Sequence, residues 1–221
     1  MLTGRGEMKR RATGRIVVPL VLCCLCAPLA CSSYRAEKHY EKGVAFQKND
    51  DTVRAIAEFT RTLHYAPGHI GARLALAAAY ASQESLQQAI AEYNEVLHYD
   101  PTVVEAEYAL GDIYSRLKNW DEALKQYEAA VEKDPGHAAA YYSLGSIFKM
   151  RKEQGKAIAA YRRAVEIDEN HCEAHYQLSL LYFVEGDFEN ARKHAAIAVK
   201  EYPAAQKLIV LIEEETKDTK G

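Results

Sequence analysis

The chain contains very little cysteine after residue 31. Four of its five cysteines lie at or before that point, and only Cys172 lies beyond it. One cysteine cannot form a disulfide framework within the body of the protein, so a fold held together by disulfides is excluded there. We expect Cys172 to act as a small apolar packing residue.

The sequence also lacks a strong excess of either charge. Lys and Arg number 28 against 31 Asp and Glu, for a net charge of -3, which offers no basic surface for a nucleic acid. A glycine-rich phosphate loop, a nucleophile elbow and a dinucleotide-binding fingerprint are all missing from the sequence. We therefore predict a protein that is not an enzyme, needs no cofactor and does not bind nucleic acid.

Residues 1–30 have the order of a secretory signal peptide. A basic segment, MKRR, precedes an apolar run from Ile16 to Ala30, and small residues follow. The run is shorter than the roughly 20 residues that a membrane-spanning helix needs. This order of positive charge, apolar run and small residues predicts export.

The motif ACSS at residues 30–33 resembles the end of a bacterial lipobox, where a specialised peptidase cuts before a cysteine that carries lipid. The resemblance implies lipidation of Cys31, and Ser32 after it resembles outer-membrane sorting signals. Pro28 and Leu29 depart from the usual pattern. Ordinary signal-peptidase cleavage before Cys31, giving a free periplasmic protein, and an uncleaved anchor are therefore two alternatives.

Small and aromatic residues recur at a step of 34 along the body of the chain. One position is always small, a second is always aromatic, and a third is always alanine. The small residues are Gly43, Ala77, Gly111, Gly145 and Ser179. The aromatic residues are Phe46, Tyr80, Tyr114, Phe148 and Tyr182, and the alanines are Ala55, Ala89, Ala123, Ala157 and Ala191. Every proline after residue 31 also shares one position: Pro67, Pro101, Pro135 and Pro203.

This period and pattern resemble the tetratricopeptide repeat, an antiparallel pair of helices. The resemblance implies an all-α fold, a right-handed α-solenoid of five tandem helix-turn-helix repeats. The repeats would cover residues 36–69, 70–103, 104–137, 138–171 and 172–205. A short tether at 31–35 would precede them, a capping helix at 206–217 would follow them, and a polar tail would occupy 218–221.

Helix packing explains why these residue types recur. Two helices can cross closely only where their side chains are small, as at Gly111 on the first helix and Ala123 on the second. Tyr114 and Tyr127 would fill the space beside that contact. Pro135 cannot continue a helix, so it would end the second helix and turn the chain into the next repeat. One helix pair cannot bury its apolar face alone, so neighbouring pairs stack.

The resemblance also implies a concave groove lined by the first helix of each pair. Its predicted lining has two parts, an amphipathic ladder of tyrosines and an apolar end. The ladder is Tyr40, Tyr108, Tyr142 and Tyr176, and the apolar end is Met150, Leu180, Phe183 and Val184. Two alternatives are that the tyrosines pack between neighbouring helices, and that the capping helix covers the apolar end. The segment Leu208–Ile212 is also apolar, and two alternatives apply to it. Either the last repeat and a second surface cover it, or part of it is exposed and binds a partner.

The motif HCEAH at residues 171–175 is the one candidate metal cluster. A spacing of four would place His171 and His175 on one helix face. Glu173 does not occupy the place that a zinc-protease motif requires, and a third ligand at motif spacing is missing. A metal hydrolase is therefore the least favoured function.

These observations predict an exported scaffold or adaptor for protein–protein interaction. Its architecture resembles lipoproteins that assist assembly of pilus and secretion-channel complexes, facing the periplasm at the outer membrane. The expected partners are a protein or peptide in the groove and the membrane through lipid on Cys31. The alternatives are an adaptor for periplasmic proteases or cell-wall hydrolases, and an unlipidated periplasmic scaffold that self-associates.

Overall fold

The computed structural model describes residues 21–218, with side chains from 32 to 217. Over that part of the chain all regular structure is helical, which confirms the all-α prediction. The helices are α1 Val21–Lys48, α2 Thr52–Tyr65, α3 Ile70–Ser82, α4 Leu86–Tyr99, α5 Val104–Arg116, α6 Trp120–Lys133, α7 Ala138–Met150, α8 Gln154–Ile167, α9 Cys172–Glu185, α10 Phe188–Ala198 and α11 Pro203–Asp218.

The helices pack in chain order as five pairs, and each pair packs against the next. We call the odd-numbered helices α1 to α9 the first helices and the even-numbered helices their second helices. The capping helix α11 packs on α10 and also touches α9. This arrangement confirms the solenoid predicted from the 34-residue period.

The small residues of the pattern lie where the two helices of a pair cross. A methyl group added at Gly111 would come within 2.5 Å of the Tyr127 ring, and one added at Gly145 within 2.7 Å of the Tyr161 ring. Ala123, on the second helix, is completely buried. The aromatic ring therefore occupies the space that a glycine leaves open.

The turn within each helix pair contains one residue with a left-handed backbone conformation, at the same position in all five repeats. Four of these residues are not glycine, although side chains disfavour a positive φ. They are Asp50, Glu84, Lys118, Lys152 and Gly186, with φ between 57° and 77°. In each turn the next backbone N–H donates to the carbonyl of the recurring aromatic residue, as in Asn119 to Tyr114 at 2.9 Å. This is a Schellman motif, which ends the first helix.

The N-terminal boundary differs from the prediction. Helix α1 runs without a break through residues 31–35, so this segment is helical and not an extended tether. No proline or glycine lies between Cys31 and Lys42 to stop the helix. The Ser32 hydroxyl also fixes the segment by donating to the Tyr65 carbonyl at 2.7 Å. The predicted lipidation of the Cys31 side chain, the first 20 residues and the last three lie outside what the structure describes.

The capping helix begins at Pro203, three residues before the predicted start at 206. Proline fits the first position of a helix because the N–H it lacks would have no partner there. Leu208 and Ile212 are buried against α9 and α10, whereas Val210 and Leu211 are about half exposed. One face of this apolar segment is therefore covered, and the other face stays partly exposed.

Candidate partner-binding groove

The four predicted groove tyrosines occupy equivalent places on α1, α5, α7 and α9, and each is half-buried. Three of their rings lie against the last residue of the same repeat, a histidine that directly precedes the next first helix. These pairs, with their ring-centroid distances, are Tyr40–His69 at 4.6 Å, Tyr108–His137 at 4.8 Å and Tyr142–His171 at 5.0 Å. Tyr176 instead stacks on Tyr202 at 5.3 Å. The ladder therefore joins successive repeats and keeps part of each ring exposed.

The three histidines have a second structural role as N-caps. The Nδ1 atom of His69 accepts the backbone N–H of Ala72 at 3.1 Å, which satisfies a free donor at the start of α3. His137 caps α7 and His171 caps α9 in the same way. Three of the tyrosine rings thus pack on histidines whose positions are fixed. This supports the alternative that the tyrosines pack between neighbouring helices, although part of each ring stays exposed.

The middle of the predicted groove contains a carboxylate, Asp112, which the sequence pattern did not bring out. Asp112 is half-buried on α5 and accepts a hydrogen bond from the Tyr127 hydroxyl at 2.6 Å. Burial raises the pKa of Asp112, although the hydroxyls of Tyr127 and Tyr108 oppose that rise. Its place in the repeat was the available signal, because the equivalent residues of the other repeats carry no charge: Val44, Ala78, Ser146 and Leu180.

Other charged side chains of the groove are engaged with neighbouring repeats. Arg116 forms an ion pair with Glu84 at 2.5 Å and so ties α5 to the turn that precedes α4. The carboxylate of Glu173, followed by burial, raises the pKa of Tyr202 to about 12. These contacts hold neighbouring repeats together. The groove residues that could contact a partner are therefore the tyrosines, Asp112 and the apolar end.

The predicted apolar end divides into two kinds of residue. Met150 is 54% exposed and Val184 is 75% exposed. Leu180 and Phe183 are half-buried and pack against the cluster formed by α9, α10 and α11. The Phe183 ring lies 5.7 Å from that of Phe188. The capping helix therefore covers part of this end, and Met150 and Val184 stay accessible.

The candidate metal cluster does not assemble as its spacing suggested. His171 is the N-cap of α9, outside the helix, and its Nδ1 accepts from the Ala174 N–H at 3.4 Å. His175 lies inside the helix and is buried. The two imidazoles therefore do not share a helix face. Over the described residues, we find no group of three or more potential ligands that could hold a metal ion.

His175 instead forms a pair with His194 of α10. Its Nε2–H donates to the Glu169 carbonyl at 3.2 Å, which leaves Nδ1 to accept from Nδ1–H of His194 at 2.7 Å. Burial lowers the pKa of His175. Burial, followed by the charges of His175 and Lys193, lowers the pKa of His194 to about 4. Both rings are therefore neutral at pH 7.

Cys172 behaves as predicted. It is buried at the start of α9, and burial raises the pKa of its thiol. A buried, protonated thiol is a poor nucleophile, which agrees with a packing role. Within residues 21–218, the helices are all too short or too polar to cross a membrane.

Comparison with known proteins gives a family match over most of the chain. A family model described as tetratricopeptide repeat matches residues 40–103 and 108–171. A second model with the same description matches residues 173–205. The matched segments cover each of the five repeats at least in part. None of the curated proteins searched matches the chain.

Several solved structures share this architecture. MamA from Desulfovibrio magneticus RS-1 is 22% identical, with a TM-score of 0.67 over 75% of this chain and 94% of its own. PilF of Pseudomonas aeruginosa is 16% identical, with a TM-score of 0.73 over 86% of this chain and 87% of its own. YrrB, described as a tetratricopeptide repeat protein with an unusual peptide-binding site, is 18% identical, with a TM-score of 0.62 over 79% of this chain and 90% of its own.

At these identities the structural likeness establishes the fold alone, and the family models establish the repeat. Tetratricopeptide repeat proteins are generally scaffolds that bind proteins or peptides and do not catalyse reactions. This chain belongs to the tetratricopeptide repeat family.

Proposed function

We propose that this protein is an exported lipoprotein whose repeat array binds a protein partner and assists assembly of a bacterial envelope complex. Its groove takes an extended peptide or a helix of that partner. Lipid on Cys31 holds the array at the periplasmic face of the outer membrane. The order of charge, apolar run and small residues in the first 33 residues supports export and lipidation.

The observation that carries the binding site is the exposure of Met150 and Val184. These residues occupy the same place on consecutive first helices, at the end of α7 and near the end of α9. The equivalent residues of the earlier repeats, Lys48, Ser82 and Arg116, are polar. Two large apolar side chains exposed side by side at equivalent positions are typical of an interaction surface.

The rest of the groove fits a partner that is amphipathic. The exposed edges of the tyrosine rings offer apolar area together with hydroxyl groups. Asp112 offers a carboxylate near the middle of the array, and a donor group or a cation on the partner would satisfy it. YrrB is described as carrying a peptide-binding site on the same fold, which supports a peptide or helix as the ligand.

The binding site can be tested with a pair of matched variants. Met150→Asp with Val184→Asp places two charges on the exposed apolar end, and Val53→Asp changes a residue of similar exposure, 71%, on α2. Tagged proteins would be recovered from crosslinked native cells and their bound envelope proteins compared. We expect the double variant to lose partners that the Val53 variant keeps. Equal recovery by all three proteins would contradict the groove assignment.

Location needs a separate measurement. Mass spectrometry of the mature N-terminus would show a diacylated Cys31 if the lipoprotein proposal is correct. An unmodified N-terminus at Cys31 would favour the soluble periplasmic alternative, and sedimentation at several concentrations would then test self-association. Either result leaves the groove experiment unaffected, because that experiment compares variants in the same cells.

A further inference from the structure

The place where α1 enters the array fixes which edge of the array faces a membrane. The hydrogen bond between Ser32 and the Tyr65 carbonyl shows that α1 draws level with the end of α2 near residue 32. The proposed cleavage before Cys31 would therefore leave the lipidated residue directly at that end.

All five first helices begin at the same edge, where the connections between repeats lie. We call this edge the loop rim. It contains the ends of the second helices and the connections at 66–69, 100–103, 134–137 and 168–171, with the connection at 199–202 before α11. Because α1 enters the array at this rim, a bilayer that holds lipid on Cys31 must face the loop rim and not the opposite edge.

The loop rim has two chemically different parts. The near rim, formed by the start of α1 and the ends of α2 and α4, carries aromatic and basic residues. The far rim, formed by the ends of α6, α8 and α10 and the connections after them, carries exposed carboxylates. The near rim comprises Tyr34, Arg35, His64, Tyr65, His98 and Tyr99, with one carboxylate, Asp100, directly after α4. The far rim comprises six carboxylates and two lysines: Glu132, Asp134, Glu166, Asp168, Glu169, Glu201, Lys133 and Lys200.

The aromatic residues of the near rim are accessible and lie beside guanidinium groups. Tyr34 is 70% exposed and Tyr99 is 47% exposed. The Arg35 guanidinium lies 5.9 Å from the centroid of the Tyr65 ring, and that of Arg73 lies 5.1 Å from the Tyr99 ring. Tyrosine concentrates at the level of lipid headgroups because its ring is apolar and its hydroxyl is polar. Arg35 is exposed and offers several N–H donors to phosphate oxygens in the same layer, whereas Arg73 already pairs with Glu92.

We propose that the near rim rests on the headgroup layer of the bilayer while the far rim is held away from it. Anionic lipids attract basic groups close to the surface and repel carboxylates over about one Debye length. The array would therefore lean, with its first two repeats against the membrane and its last repeats in the periplasm. Met150 and Val184, near the far end of the array, would stay open to a partner. This inference rests on the proposed lipid anchor.

The repeat itself supplies matched positions for a test. Tyr99 ends α4, and Glu201, three repeats further along the chain, occupies the equivalent place after α10. The single tryptophan, Trp120, would first be replaced by Phe. Tyr99→Trp or Glu201→Trp would then be introduced separately, and circular dichroism would check the fold of both proteins.

The full-length lipidated proteins would be reconstituted into vesicles of phosphatidylethanolamine with a minority of phosphatidylglycerol, some of it carrying a spin label on the headgroup. We expect the label to quench the emission of the Tyr99→Trp variant and to leave that of the Glu201→Trp variant unchanged. Equal quenching at the two positions, or quenching at neither, would overturn the inference.

Flotation of the same vesicles separates this inference from the function on which it rests. Protein that floats with the vesicles but shows no difference between the two positions contradicts the leaning array alone. Protein that does not float contradicts the lipid anchor, and the leaning array with it. Groove-dependent partner capture would be unaffected by either result.

Discussion

The residue positions that all five repeats share differ in structural role from the positions that vary between repeats. The shared positions, such as Gly111 and Ala123, lie at the crossing within a pair and set how closely its helices approach. The individual positions include Asp112 in the groove, Val184 at its apolar end and His175 in the core of the last repeat. The comparison teaches that the period specifies the array, whereas the departures from it give each repeat its own surface and its own local contacts.

The largest effect is expected from the individual histidine pair. Folding lowers the pKa of His194 from about 6.5, the ordinary value, to about 4. The unfolded chain therefore binds protons first as the pH falls, so stability is fully present above pH 6.5 and is lost between about 6.5 and 4. We expect a loss of about 3 kcal/mol from this group, measured by urea unfolding at several pH values.

A matched substitution tests the assignment of that acid sensitivity. His194→Asn keeps a donor that can face Nδ1 of His175 and removes the titration of residue 194. It should flatten the pH dependence of unfolding, whereas His98→Asn, on an exposed histidine, should not. An unchanged pH profile in the His194 variant would show that other groups govern acid unfolding.

The shared crossing should be nearly as sensitive. Gly111→Ala places a methyl group 2.5 Å from the Tyr127 ring, so the ring or the helix must move. We expect a loss of about 1–3 kcal/mol in thermal or urea unfolding. Gly155→Ala is the control, because the space around Gly155 on α8 is open. That variant should be neutral or gain up to about 1 kcal/mol from higher helix propensity. Similar losses in both variants would contradict the account of the crossing.

The apolar end of the groove should separate structural from accessible residues. Phe183→Asp puts a charge against the cluster under the capping helix, and we expect a loss of about 2 kcal/mol. Val184→Asp changes a residue that is 75% exposed and should alter stability by less than about 0.5 kcal/mol. Unfolding curves of the two variants decide this. Equal losses would mean that Val184 is also part of the core.

The smallest effect is expected at the shared turn. Lys118 has φ of 58°. Among the five repeats, only the fifth has glycine at this position, Gly186. Lys118→Gly should raise the free energy of unfolding by about 0.5–1 kcal/mol, because relief of the left-handed strain exceeds the added freedom of the unfolded chain. Lys125→Gly, within α6, should instead lower it by about 1 kcal/mol. A loss in both variants would contradict this reading of the turn.

The sequence predicted the repeats well because their packing rules act within one repeat. A small residue opposite an aromatic ring leaves a trace at every 34th position, so five copies reinforce each other. The ends were less predictable. A helix continues until something stops it, and residues 31–35 contain nothing that does, so α1 runs through the expected tether. Pro203 can both follow one helix and begin the next, which moved the start of α11.

The site was predictable only in outline. The family resemblance placed the tyrosine ladder, but the partners of its rings, such as His69 and His137, depend on how successive repeats stack. The pairing of His175 with His194 joins residues on two helices, so the four-residue spacing of His171 and His175 was a misleading local signal. Phe183 and Val184 are adjacent in sequence, yet only Phe183 packs against the buried cluster of α10 and α11, and Val184 is 75% exposed.

The central claim is that the first-helix face at the apolar end of the array binds the partner. The most direct test places a photoreactive amino acid at Val184 or, separately, at the equally exposed Val53 and irradiates intact cells. The account predicts a discrete crosslinked envelope protein from position 184 and none from position 53. Crosslinking of the same protein from position 53 alone, or from both positions equally, would place the partner on another surface and contradict the account.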